Sequence, residues 1–255
     1  MAPRPARPAS APRTASLTAP LSAALLLAAV AACGGQDDRT PPTAEVAQQS
    51  PARDRVGTLS VHTAQGPRAC TASVVHSPAR NLLVTAAHCV QSHEVGLLDG
   101  LVFTPGYRNG YSPYGSWPVQ SVTVDPRWTE DADPEYDVAF VTVRTTGGRQ
   151  IEDAVGGNPI ATGQGFGLAV SVTGYPNESD EPITCAVKTR SQSPTQERFD
   201  CGGYSDGTSG SPWVTGEGTV IGVIGGYQGG GNSPDTSYSV TFDQRVADLY
   251  RQATT

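Results

Sequence analysis

A serine bracketed by glycines, in Gly207-Thr208-Ser209-Gly210-Ser211-Pro212, stands immediately before an apolar run that begins at Trp213. Acyl transfer needs an exposed hydroxyl on a tight turn, with backbone N–H groups aimed at the oxyanion that develops. Glycines supply such turns because they accept positive φ and allow close approach of a second chain. Far upstream, Leu83-Val84-Thr85-Ala86-Ala87-His88-Cys89 is an apolar strand that delivers a histidine. A serine hydroxyl is a weak nucleophile until a neutral imidazole takes its proton, and imidazole is the side chain whose pKa suits that task near neutrality. Between them, Glu135-Tyr136-Asp137-Val138-Ala139-Phe140-Val141 carries a carboxylate into an apolar strand. A buried acid needs a partner, and the second imidazole N–H is one that also fixes the tautomer.

Other residues of the same types read differently. Of the four histidines, His62 and His76 lie in strand-like segments and read as structural or surface residues, and His93 reads as loop-exposed. His93 and Glu94 do not form the HExxH pattern of a zinc peptidase. Glu130, Asp131, Asp133 and Glu135 read as a solvated acidic loop rather than a calcium site.

The elements that must position these groups are strands. Gly 29 and Pro 21 are frequent, charged residues make up only 16%, and the Val/Thr/Ser/Gly-rich texture favours short strands joined by many turns. Strand-length apolar runs include TLSVHTA (58–64), CTASVVHS (70–77), NLLVTA (81–86), LVFTPGY (101–107), VQSVTV (119–124) and VAFVTV (138–143). They continue with GLAVSVTGY (167–175), ITCAVKTRS (183–191), SPWVTG (211–216), TVIGVIGG (219–226) and TSYSVTF (236–242). No repeated helical segments support βαβ units, so the chain reads as all-β, a barrel or sandwich. Only the C-terminus has a helical period, with Val246, Leu249 and Tyr250 at i, i+3 and i+4 behind a capping Asp243.

The N-terminus reads as an address. Arg4, Arg7 and Arg13 precede an apolar stretch, Leu17 to Ala32, that is short for a membrane span. It ends in Val30-Ala31-Ala32-Cys33-Gly34, which resembles the bacterial lipobox and implies residues 1–32 as a lipoprotein signal peptide with a lipid on Cys33. Acyl chains contribute roughly 0.8 kcal/mol per buried methylene, enough in combination to hold a protein on a membrane. Residues 33–55, without apolar periodicity, read as a flexible tether, leaving 56–255 as the folded domain. With Cys33 set aside, Cys70, Cys89, Cys185 and Cys201 remain in an exported chain where disulfides persist. Four cysteines allow three connectivities. Cys70–Cys89 and Cys185–Cys201 are preferred because each pair is close in sequence and flanks recognisable strands. Without a CxxC pair, structural zinc is not indicated, and no metal or cofactor is expected. A net charge of −7 without a basic cluster in the body argues against nucleic acid as a partner.

Together, TAAHC, DVAF and GTSGSP occur in the order His, Asp, Ser. From about Val56 to Gln252 the chain resembles the trypsin/chymotrypsin family of serine peptidases, in its bacterial branch related to the glutamyl endopeptidases. The resemblance implies two six-stranded antiparallel β-barrels with a C-terminal helix, and a site in the cleft between the barrels. It implies a secreted endopeptidase acting on peptide or protein substrates, with His88 as general base, Asp137 as its orienting partner, Ser209 as nucleophile, and the N–H groups of Gly207 and Ser209 as the oxyanion hole. It also supports the Cys70–Cys89 pairing. The alternatives are an inactive binding module on the same fold and an esterase-like hydrolase.

For the substrate pocket the resemblance points to Gly203, Tyr204, Gly225, Gly226 and Tyr227, with the peptide lying as an added strand along Gly225 to Tyr227. Gly203 stands where trypsins carry an aspartate, so a basic preference is not supported. Ile224 stands where glutamyl endopeptidases place a histidine, so a glutamate pocket is not supported either, and an uncharged residue is the better reading. Gly225 replaces a usual serine. Thr208 stands where zymogens of the family carry the aspartate that receives a new N-terminus, so cleavage before Val56 is not expected to be required.

Overall fold

The computed structural model describes residues 1–3, 40–62, 67–92 and 96–255. The signal peptide and Cys33 readings, and those for His93 and Glu94, fall on residues outside the described ones. Six strands close a first barrel in the order Val56–Val61, Arg68–Val75, Leu82–Thr85, Ala139–Val143, Trp117–Val124, Leu101–Pro105 and back to Val56–Val61. The C-terminal half supplies six more main strands, held in two sheets rather than one closed ring. One sheet contains Ile183–Lys188, Ala169–Gly174, Pro212–Thr215 and Val220–Val223, and the other contains Gln196–Asp200 and Thr236–Val240. The Cys185–Cys201 disulfide joins the two sheets, and Cys70–Cys89 ties the first barrel to the turn at His88.

The wholly apolar runs have a structural reason. Alternate side chains of a strand point to opposite faces, and in two central strands both faces are covered. Leu83, Ala139, Val141 and Val143 fill the first barrel with Leu59, Phe103 and Trp117. Leu82, Val84, Val138 and Phe140 point the other way, into a second cluster with Val220, Val223 and Val240 of the C-terminal half. The helix Gln244–Ala253 seals that seam: the Asp243 carboxylate caps it by accepting from Arg245 N–H at 2.8 Å, and Val246 and Leu249 are buried in the shared cluster. Tyr250 meets Phe140 edge-on at 5.6 Å. Two shorter helices, Pro126–Asp131 and Ile151–Val155, lie outside the expectation of a single helix. The first starts on an Asp125 cap followed by Pro126 at the first turn, a favoured N-terminal pair.

The stretch read as the distal tether is in fact docked. Glu45–Val46 adds an edge strand beside Ile183–Lys188, Ala44 N–H donates to Gly202 O at 2.8 Å, Gly202 N–H donates to Pro42 O at 2.7 Å, and Ala47 is fully buried. Buried Asp54 accepts from Tyr114 Oη at 2.7 Å, and Arg55 donates to Asn158 Oδ1 at 2.6 Å. Composition misleads here because backbone pairing to an open sheet edge needs no apolar period in the added segment. Removing the segment exposes that edge and leaves Asn158 and Tyr114 without these partners. A chain beginning at Val56 is therefore expected to be less stable than one beginning at Thr40 by about 4 kcal/mol, taking roughly 1 kcal/mol for each of the four hydrogen bonds just named. That corresponds to a melting temperature lower by about 10 °C for a domain of this size. Melting curves of the two chains that coincide within about 2 °C would show that the docking carries no stability.

Candidate active site

The antiparallel pair Leu82–Thr85 and Ala139–Val143 ends at the register partners Thr85 and Ala139. His88 lies just beyond Thr85, and Asp137 just before Ala139, so both emerge at the same end of the pair. A single 3₁₀ turn, Ala87–Cys89, aims the histidine, and the Cys70–Cys89 bridge holds its far side. Asp137 is 1% exposed. Its Oδ1 accepts the His88 backbone N–H at 2.9 Å, and its Oδ2 accepts from His88 Nδ1 at 2.8 Å and from Gly226 N–H at 2.8 Å. Because a carboxylate can only accept, Nδ1 carries the proton and Nε2 presents a lone pair.

The Gly226 N–H is thus the third donor on Asp137, and Gly225 makes room for it. A Cβ on Gly225 would lie 3.0 Å from Asp137 Oδ2 and 3.1 Å from the Ala86 Cβ, so the bare backbone at 225 lets the next peptide reach the carboxylate. This contact also corrects the expectation of an extended edge along Gly225 to Tyr227. The strand stops at Val223, Gly226 takes φ 79° and ψ −124°, and Tyr227–Gly230 forms a tight turn. Tyr227 is 41% exposed and packs edge-on against Tyr238 at 5.0 Å.

Ser209 sits on a turn whose carbonyls are all engaged. Asp206 O accepts from Asn177 N–H at 2.7 Å, Gly207 O from Thr71 Oγ1 at 2.9 Å, Thr208 O from Ser211 Oγ at 2.6 Å, and Ser209 O from Thr71 N–H at 2.8 Å. Among the described residues, the N–H groups of Gly207 and Ser209 donate to no other group. Only glycine suits the two bracketing positions: Gly207 has φ 94° and Gly210 φ 81°, and a Cβ at Gly210 would lie 2.1 Å from Thr85 Oγ1. That close approach seats the turn on the strand that leads to His88.

Ser209 lines a cleft of about 680 Å³, together with Tyr204, Asp206, Thr208, Ile224 and Glu178. Of the sequence-derived pocket residues, Tyr204 is on this wall, and its hydroxyl is anchored to Val172 O at 2.7 Å. Gly203 is turned toward the docked segment, where a Cβ would meet Ala44 and Ile183. Glu178 and the Gly229–Ser233 stretch also line the cleft, and they carry no sequence signal, since no local pattern marks a loop as a wall of a distant site. His76 is a surface residue paired with Glu152 at 2.6 Å, and His62 is exposed at a strand end. The sulfurs near His88 belong to the Cys70–Cys89 disulfide, so they are not thiolate ligands.

The sequence model of the trypsin family, described as "Trypsin", matches residues 46–250. The chain belongs to the trypsin family. Solved structures with the same fold include the protease Anisep from Arthrobacter nicotinovorans, with TM-score 0.71 and 24% identity over 81% of this chain and 98% of that one. The thermostable serine protease AL20 from an extremophilic microorganism has TM-score 0.71 and 27% identity over 80% of this chain and 99% of its own. A Glu endopeptidase in complex with MPD has TM-score 0.69 and 16% identity over 84% and 97%. A Bacillus subtilis (strain 168) protein named extracellular metalloprotease is 33% identical over 108 residues, 42% of this chain. The match spans about a third of that relative's length (33%).

The electrostatics of the pair have a definite sign. Burial is the largest influence on His88 and works to lower its pKa, but the Asp137 charge and hydrogen bond outweigh it, so the value lies above the ordinary 6.5. Burial likewise works to raise Asp137, and the His88 charge and hydrogen bond, with the two backbone N–H groups, hold it below its ordinary 3.8. The His88 contribution to stability is therefore complete below pH 6.5 and is lost as pH rises through the raised value. That of Asp137 is present above 3.8 and is lost as pH falls through the lowered value. An NMR titration of the His88 ring is expected to give a midpoint above 6.5, falling in Asp137→Asn, where burial remains and the charge does not. A wild-type midpoint at or below 6.5 would contradict the assigned balance.

Proposed function

We propose that this trypsin-family chain is an endopeptidase that hydrolyses peptide bonds through an acyl-enzyme on Ser209. The reading is carried by one observation: a buried carboxylate fixes the proton on Nδ1 of His88 and leaves Nε2 as a base at the barrel end where the glycine-bracketed Ser209 turn is seated. In this reading His88 takes the Ser209 proton as Oγ attacks the scissile carbonyl, and Asp137 stabilises the imidazolium that results. The N–H groups of Gly207 and Ser209 receive the oxyanion. His88 then protonates the leaving amine, and water hydrolyses the ester.

No new N-terminus is needed in this scheme. Val56 N–H is occupied by Arg53 O at 2.9 Å inside a turn that leads into the first barrel strand. The Thr208 hydroxyl is satisfied by Ser205 O at 2.6 Å, so the position where a docking ammonium would need a counter-charge holds a neutral, already bonded group. The two disulfides fit an exported protein, and the lipid on Cys33 would keep it at the cell-envelope membrane.

The test uses a chain beginning at Gly34 with the Arg55–Val56 bond intact by mass. It is expected to react with a fluorophosphonate and to hydrolyse peptides. Ser209→Ala and His88→Ala should remove nearly all turnover, and Asp137→Asn roughly 10⁴-fold of kcat. Near wild-type hydrolysis by Ser209→Ala would end this mechanism, and inactivity relieved only by trimming to Val56 would end the activation argument.

The cleft also carries a specificity. Glu178 and Asp206 line it, and among the described residues that line it none is Lys, Arg or His. A carboxylate entering beside Ser209 would meet like charge, at a cost of about 1 kcal/mol or more at contact distance depending on solvent access. Digestion of a peptide library is expected to show depletion of Glu and Asp before the cleaved bond, in contrast to a Glu endopeptidase. Enrichment of Glu at that position would refute it.

A further inference from the structure

Thr71 is fully buried in the strand Arg68–Val75, one residue after the disulfide cysteine Cys70. Its hydroxyl donates to Gly207 O at 2.9 Å and accepts from Tyr175 N–H at 3.0 Å. Its backbone N–H donates to Ser209 O, and its carbonyl accepts from Thr85 Oγ1 at 2.8 Å. One residue of the first barrel thus grips the nucleophile turn on both sides of Thr208, and also grips a third loop that belongs to neither.

That third loop completes a circuit. From Tyr175 the chain runs through Pro176 to Asn177, whose N–H holds Asp206 O at 2.7 Å. A trans peptide places its N–H opposite its carbonyl. Anchoring Asp206 O therefore sets the direction of Gly207 N–H, and Gly207 has the φ freedom to let that peptide turn over if it is released. The Thr71 hydroxyl restrains it from both ends: directly at the Gly207 carbonyl, and through the Tyr175–Asn177 segment at the Asp206 carbonyl. Tyr175 is itself only 1% exposed, so a slack loop cannot simply be resolvated by water.

We infer that Thr71 is a positioning residue, whose hydroxyl holds the Asp206–Gly207 peptide with its N–H turned toward the oxyanion of the acyl-transfer step. The inference rests on the Ser209 reading above. Thr71→Val keeps the shape and removes the hydroxyl, stranding a buried donor and a buried acceptor that can be satisfied only by moving the two loops. The N–H of Gly207 moves with them, and removal of one oxyanion donor costs about 10² to 10³ in kcat where it has been measured.

The experiment compares wild type, Thr71→Val and Thr71→Ser for kcat, KM and affinity for a peptide boronate that forms a tetrahedral adduct with serine. In Thr71→Val, kcat and boronate affinity are expected to fall together by about 10- to 100-fold with KM within about threefold. Thr71→Ser should stay within about threefold of wild type. A merely structural threonine would lower the melting temperature in both variants without linking kcat to boronate affinity. A folded Thr71→Val with wild-type kcat would overturn the inference while leaving the peptidase reading intact. If Thr71→Val fails to fold, Thr71→Cys, a weak donor of similar size, is held to the same standard. A wild-type protein that neither hydrolyses peptides nor reacts with a fluorophosphonate would overturn the Ser209 reading and the inference together.

Discussion

A carboxylate 1% exposed to solvent is tolerable only if N–H groups converge on it, and Asp137 imposes that condition on the rest of the site. An isolated ion in such a place would neutralise itself by taking up a proton. Here the turn at His88 supplies two donors, one from the backbone and one from the ring, and the C-terminal half supplies the third from Gly226. The demands of the acid therefore orient the histidine, select its tautomer and draw the 225–226 backbone across the seam. The same contact takes those residues out of extended geometry, so stabilising the charge and shaping the substrate side of the cleft are one event.

The seam between the halves meets this demand because it is rigid on both sides. Leu82, Val84, Val138 and Phe140 belong to barrel strands whose opposite faces fill the first barrel, and they meet Val220, Val223 and Val240 without an intervening layer. Close-packed contact of this kind resists sliding, since any shift opens voids on both faces at once. The helix Gln244–Ala253 closes the remaining side of the seam. His88 and Asp137 sit at the end of this packed unit, and the Thr71 and Gly210 contacts seat the Ser209 turn against it.

The nucleophile turn illustrates complete accounting of backbone groups. Four successive carbonyls, Asp206 to Ser209, are each held by a different donor, while the N–H groups of Gly207 and Ser209 donate to no other group among the described residues. Buried backbone polar groups are normally paired, so unspent donors next to a cleft are a chemical resource rather than a defect. The donors that make this possible come from three separate segments: the strand at Thr71, the loop at Asn177 and the turn itself at Ser211.

What the sequence determined by itself was local. Strand-length apolar runs separated by Gly and Pro marked the all-β fold, because covered faces demand apolar side chains whatever they pack against. The two disulfides followed from cysteines close in the chain, and His88, Asp137 and Ser209 stood out because each is a reactive group in a setting that its bland role would not need. Tertiary structure decided what depends on distant partners. Gly226 and Asp137 are 89 residues apart, and Thr71 and Gly207 are 136 apart, and no pattern near either member announces the other. The docking of residues 42–47 belongs to the same class, because an added edge strand is specified by the backbone of the sheet it joins. So does the cleft wall at Glu178: its side chain is an ordinary surface acid in sequence, and only the closing of the loops around Ser209 brings it to the same cleft.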